Sequence, residues 1–173
     1  MSKDEFSEKI GRLTKSSTYL QYCKEVYGYK EYLFNMMDKE QIDFVLNSIP
    51  ISSEDTLLDL GCGPGSILNL LVAKCGCHGI GIDQLDKNIL NPNGKLTYIN
   101  ADIDKISNYR IKPTITLSID SLYFSKDLNG LVRQLKNVEN NRMYFFYSQY
   151  LVDEATRRKS ILQSNNTKIA EVL

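Results

Sequence analysis

Tryptophan is absent from these 173 residues, and there is one histidine and only four prolines. Net charge of either sign is missing too: 21 Lys plus Arg face 21 Asp plus Glu. Without a basic surplus, the chain lacks the electrostatic footprint of a protein that lives on nucleic acid or anionic lipid. No apolar run reaches the roughly 18 residues of a membrane span. The opening MSKDEFSEKI also lacks a signal peptide's apolar centre. Disorder is excluded on composition, since 42% of residues are hydrophobic and 24% charged, as in ordinary globular domains. The expectation is a soluble cytoplasmic protein built around one domain, with neither a nucleic-acid nor a membrane partner.

The cysteines Cys23, Cys62, Cys75 and Cys77 read as reduced thiols in that setting. Cys75-Gly76-Cys77-His78 packs three zinc-type ligands into four residues, but no second cluster completes a tetrahedron. These read as turn residues, and no metal is expected.

The first residues, to about Ser17, are polar and read as loosely held. Tyrosines then cluster at 19, 22, 27, 29 and 32. Asp38 and Gln41 have the spacing of a capping box. After them Ile42, Val45, Leu46 and Ile49 recur on one helical face until Pro50 stops the run. From Thr56 short apolar runs alternate with helical ones. TLLDL (56–60), GIGID (79–83), LTYIN (96–100), TITLSI (114–119) and MYFFY (143–147) read as strands. SILNLLVAK (66–74) and the face Leu128, Leu131, Val132 and Leu135 read as helices. Such alternation predicts an α/β fold, a Rossmann-like doubly wound, mainly parallel sheet with helices on both faces. Ligands of such sheets sit at the carboxyl ends of the strands. The predicted organisation is an amino-terminal helical lid segment (1–34), a cofactor-binding core (35–151) and a short carboxyl-terminal helical segment (152–173).

The sharpest local signal is LLDLGCGPGS (57–66), where Gly61, Gly63 and Gly65 lie between an apolar strand and an apolar helix. Glycine there permits a tight turn and a close approach of ligand to backbone. Asp83 ends the second strand 22 residues beyond Gly61, near the roughly 20 expected of an acid that grips ribose hydroxyls. The loop runs G-x-G-x-G rather than the G-x-G-x-x-G of dinucleotide sites, which disfavours a nicotinamide dehydrogenase. Asp59 precedes it by two residues. A carboxylate suits a ligand's ammonium group better than a pyrophosphate.

The D-x-G-x-G-x-G stretch resembles the first motif of class I S-adenosylmethionine-dependent methyltransferases, and the later elements, over about residues 35 to 150, resemble the small-molecule branch. The resemblance implies S-adenosylmethionine as cofactor and a small-molecule substrate. It places Asp59, Gly61, Cys62, Gly63 and Gly65 at the cofactor, Asp83 at the ribose hydroxyls, and Gln84 and Leu85 beside the adenosine. Asp102 and Ile103 would lie near the adenine. Ile119, Asp120 and Tyr123 fall where cofactor and substrate meet. Nucleic-acid amino-methyltransferases of similar fold carry an Asn/Asp-Pro-Pro-aromatic motif, whereas here the sequence reads Ile119-Asp120-Ser121-Leu122.

Methyl transfer from a sulfonium is a direct displacement, so positioning supplies much of the rate and a base is optional. His78 precedes the second strand, at the wrong end of the sheet. Asp120 can orient a substrate or accept its proton, or else cap a turn. Tyr123 can offer its ring face to a sulfonium or a substrate amine, or simply pack. The tyrosines before residue 35 are candidates for a lid over the cofactor, and Tyr19 and Tyr22, three apart on a helix, for substrate contact, with plain packing the alternative. The family's sheet usually ends in a two-strand hairpin, for which no sequence remains here. MYFFY is therefore expected to be an apolar edge that promotes self-association. A cofactor-binding module with a regulatory or assembly role is the alternative function.

Overall fold

The computed structural model describes residues 3–35, 37–85 and 94–146. Two helices, α1 (Lys3–Leu13) and α2 (Ser17–Tyr27), precede α3 (Lys39–Ser48). Then follow β1 (Thr56–Leu60), α4 (Ser66–Cys75), β2 (His78–Asp83), β3 (Leu96–Asn100), β4 (Ile115–Ile119), α5 (Leu128–Lys136) and β5 (Arg142–Phe146). 3₁₀ turns occupy Ile103–Asn108, kinked at Lys105, and Leu122–Phe124.

The strands form one parallel sheet in the order β3-β2-β1-β4-β5. β1 therefore separates the β2–β3 half from the β4–β5 half, and the order reverses beside it. Alternation along β1 decides which residue faces which layer. Leu57 packs with Ile42, Val45 and Leu46 of α3 and with Leu68 and Leu71 of α4. Leu58 and Leu60 point the other way, toward Leu131, Val132 and Leu135 of α5. Asp59 lies on the Leu57 side, beneath the loop that follows the strand. The expected doubly wound α/β architecture is the observed one.

Local signals account for the element ends. Asp38 and Gln41 form the reciprocal capping box of α3. Gly76, in the left-handed conformation, closes α4. At the amino end of the sheet Asp55 accepts hydrogen bonds from the Ser52 amide and hydroxyl, from the Thr114 hydroxyl and from Arg142 of β5. Burial pushes the Asp55 carboxyl up, but the bonds from Thr114, Ser52 and Arg142 outweigh it and hold the carboxyl at about 2.

One expectation is corrected. The first residues are helical rather than loosely held, because α1 carries Ile10, which is buried, and Thr14 caps its end through the Ile10 and Gly11 carbonyls. Residues 86–93, the carboxyl-terminal segment 152–173 and Tyr147 lie outside the described residues. No helix among the described residues is long and apolar enough to cross a membrane.

Candidate functional site

The loop after β1 carries three glycines with positive φ, and the three serve different ends. Gly61 and Cys62 donate their amides to the Ile82 carbonyl at 2.7 and 3.2 Å, which folds the loop against β2. A Cβ on Gly61 would lie 2.3 Å from that of Ser121. Its missing side chain admits Ser121, whose hydroxyl donates to the Leu60 carbonyl and pairs with the Ser118 hydroxyl at 2.5 Å. A Cβ on Gly65 would strike the Tyr98 ring, whose hydroxyl donates to Asn69 at 3.1 Å. Gly63 alone of the three has nothing within 4 Å of the place its Cβ would occupy. Two glycines make room for protein; beside the third the space is open.

Beneath this loop two carboxylates converge. Asp59 is 4% exposed, and no described residue gives its carboxyl a hydrogen bond. Burial, with the Asp83 charge added, pushes it up to about 7. Asp83 is held by backbone, its Oδ2 accepting from the Gly63 amide at 2.8 Å and its Oδ1 from the Leu85 amide at 2.7 Å. Carboxylate oxygens have further lone pairs, so Asp83 can still accept from a ligand's hydroxyls. Burial, then the Asp59 and Asp83 charges, push the Cys62 thiol up, which favours its neutral form.

These groups open into a cavity of about 780 Å³ at the carboxyl ends of the strands, large enough for a cofactor-sized molecule. One wall is the segment 32–35, placed by hydrogen bonds rather than by regular structure. Tyr19 donates its hydroxyl to the Leu33 carbonyl at 2.6 Å, and Ser66 donates to the Tyr32 carbonyl at 2.8 Å. Ile10 of α1 joins that wall. Ile119, Asp120, Tyr123, Phe124 and Lys126, from the segment after β4, line it as well. Asp120 has a φ of 50°, rare for a residue with a side chain, and its amide donates to the Phe146 carbonyl at 2.8 Å.

Most residues named from the sequence meet here: Asp59, Gly61, Cys62 and Gly63 from the loop, Asp83, Gln84 and Leu85 after β2, Ile103, and Ile119, Asp120 and Tyr123 after β4. Four do not line the cavity. Gly65 serves Tyr98, as above. Asp102 turns its carboxylate to the Asp104 amide at 3.1 Å and caps the 3₁₀ segment, while its neighbour Ile103 reaches the cavity. Tyr19 and Tyr22 stack on one another with centroids 5.8 Å apart, outside the cavity. Tyr19 touches the site through the Leu33 carbonyl and through its ring, which stacks on that of Phe34 with centroids 5.1 Å apart, and Tyr22 is exposed. His78, exposed at the start of β2, is at the opposite end of the sheet. Tyr32 entered the sequence reading only as one of the clustered tyrosines; Phe34 and Lys126, which also line the cavity, were not named and lie in aperiodic stretches without a motif.

No protein-family model matches the sequence, and no curated protein matches it. Solved structures do. A putative methyltransferase from Haloferax volcanii, in complex with the Trm112 methyltransferase activator, is similar with a TM-score of 0.58 and 17% identity over 84% of this chain and 59% of that one. A SAM-dependent methyltransferase from Geobacter sulfurreducens, in complex with S-adenosylhomocysteine, gives 0.54 and 17% over 86% and 60%. The mitomycin 7-O-methyltransferase MmcR gives 0.56 and 14% over 71% and 40%. The chain thus spans between about 40% and 60% of the length of these neighbours. Its fold is that of the class I S-adenosylmethionine-dependent methyltransferases.

Proposed function

We propose that the chain binds S-adenosylmethionine under the glycine loop and methylates a small molecule. The observation that carries this reading is Asp59, a buried carboxyl that faces the cavity without a hydrogen-bonding partner among the described residues. A buried charge left in this state is costly unless a ligand completes it, and an ammonium group is the fitting complement. The same site offers Asp83 for paired hydroxyls, open space at Gly63, and apolar surface at Leu85 and Ile103 for a flat ring. Donor set and cradle fit the cofactor. When bound, it supplies a methyl group on a positively charged sulfur.

The chain's own residues hold and shield. Asp59 takes the ammonium, Asp83 the ribose hydroxyls, and Gln84, Leu85 and Ile103 flank the adenosine. The 32–35 segment and α1 cover the mouth and limit water. No base is required of the protein, consistent with the position of His78. A small acceptor is supported by the zero net charge and by the absence of prolines in 119–122.

A second reading, a cofactor-binding module with a regulatory or assembly role, has support in the Haloferax volcanii neighbour, which is found in complex with a methyltransferase activator. Incubation with methyl-labelled S-adenosylmethionine and a panel of small acceptors separates the two. Transfer of label supports the enzyme. Binding without transfer to any acceptor supports the module.

A further inference from the structure

We propose that Tyr98 of β3 is a positioning residue, whose ring sets the glycine loop without itself lining the cavity. The inference rests on the cofactor reading above and extends it to a residue that reading does not use. Parallel register puts Asp59, Gly81 and Tyr98 in one row across β1, β2 and β3, and alternation turns all three toward the same layer. The middle place in that row has no side chain. Gly81 lacks the positive φ of the loop glycines, so space is what it supplies. A Cβ there would lie 2.6 Å from the Cys62 sulfur and 2.7 Å from Cδ1 of the Tyr98 ring. The ring therefore lies over Gly81, as aromatics do over a cross-strand glycine. It also reaches the loop after β1, where a Cβ on Gly65 would strike its edge and hydroxyl.

One side chain thus fills the room left by two glycines on different elements, beside Cys62 of the same loop. Its hydroxyl donates to Asn69 Oδ1 of α4 at 3.1 Å, which ties the ring to the helix that the loop enters. Burial, then the neighbouring Cys62, Asp59 and Glu31, push that hydroxyl up, so it stays protonated and remains a donor. The Gly61, Cys62 and Gly63 amides bond to Ile82 and Asp83 of β2. Tyr98 adds a hold from β3, at the end of the loop where Gly65 stands. Without the ring, Gly65 and Cys62 border a void, and glycine gives the loop the freedom to shift into it. Ordering the loop then counts against ligand binding.

The test compares Tyr98→Phe, which keeps the ring and loses the bond to Asn69, with Tyr98→Leu, which loses both. Amide hydrogen exchange by NMR, thermal melts and calorimetric titration with S-adenosylhomocysteine are run on the full chain. Tyr98→Phe should lower the melting temperature, because it leaves the Asn69 oxygen without its donor. It should nevertheless keep loop exchange and affinity within about threefold of the parent chain. Tyr98→Leu should speed exchange of the Gly61, Cys62 and Gly65 amides by about tenfold or more and leave those of β1 and β4 unchanged. The same variant should weaken S-adenosylhomocysteine by about tenfold or more. Tyr98→Met serves if the leucine variant does not fold. Loop exchange unchanged in Tyr98→Leu, or exchange and affinity that follow the melting temperature across both variants, overturns the proposal. A parent chain that does not bind S-adenosylhomocysteine overturns the cofactor reading instead, and the exchange rates still decide whether Tyr98 holds the loop.

Discussion

Asp83 accepts a hydrogen bond from the amide of Gly63 at 2.8 Å, so the acid that ends β2 also sets the glycine loop that ends β1. The two residues lie on neighbouring parallel strands' carboxyl ends, and this bond joins the edges of the site into one frame. Asp83→Ala should therefore act twice, removing a ligand acceptor and loosening the loop. Charge-assisted hydrogen bonds are worth roughly 1.5–3 kcal/mol, so S-adenosylhomocysteine affinity should fall about tenfold or more. Calorimetry on the folded variant checks this; unchanged affinity removes Asp83 from the site.

The glycines give a contrast within one loop. Gly63→Val should fold, at about 1–2 kcal/mol for its positive φ, and lose cofactor binding because the new side chain enters open cavity. Gly61→Ala and Gly65→Ala should lower the melting temperature sharply instead, since each new Cβ falls 2.3 Å from Ser121 or Tyr98. Thermal melts with and without S-adenosylhomocysteine distinguish the three variants. A Gly63→Val protein that binds normally makes the whole loop structural.

Asp59 predicts a pH dependence of defined sign. With its carboxyl raised to about 7 in the folded chain, against about 4 when unfolded, the folded state holds a proton that the unfolded state has lost. Stability should fall as pH rises through this interval and level off above about 7. Asp59→Asn should remove that slope in urea titrations from pH 5 to 8. A ligand ammonium displaces the same proton, so S-adenosylhomocysteine binding near pH 6 should release a proton to the buffer. Equal binding heats in buffers of different ionisation enthalpy would contradict this.

Asp55 predicts the opposite slope at lower pH. Its carboxyl is held at about 2 in the folded chain. Its contribution is therefore complete above the unfolded value of about 4 and is lost as pH falls toward 2. Asp55→Ala should cost about 1.5–3 kcal/mol at neutral pH and leave cofactor affinity unchanged. Denaturant midpoints and a parallel ligand titration test both halves.

Among the described residues β5 pairs with β4 alone, and its Tyr144, Phe145 and Phe146 are half-buried. Self-association through this strand is the expected outcome. Light scattering over a concentration series should show a rising mass, whereas a monomer throughout would mean that the edge is covered.

The sheet was legible because strand and helix periods are local, and TLLDL and LTYIN coincide with β1 and β3 residue for residue. Asp59, Gly63 and Asp83 were legible for a related reason, since a strand–loop–helix unit fixes their relation by spacing. Gly65 and Asp102 show the limit of that logic. Both stand at motif positions, yet Tyr98 and the Asp104 amide, not a cavity, use them. The position of the 32–35 segment was illegible because Tyr32 and Phe34 sit in an irregular stretch. Ser66 places that segment through a bond to Tyr32, 34 residues away in sequence, and no short-range pattern records such a bond.

The most direct test of the account is calorimetric titration of the chain with S-adenosylhomocysteine and, separately, with NADH. The account predicts saturable binding of S-adenosylhomocysteine at one site per chain, weakened in Asp83→Ala, and no binding of NADH. No binding of S-adenosylhomocysteine to the folded chain, or binding of NADH in its place, would contradict it.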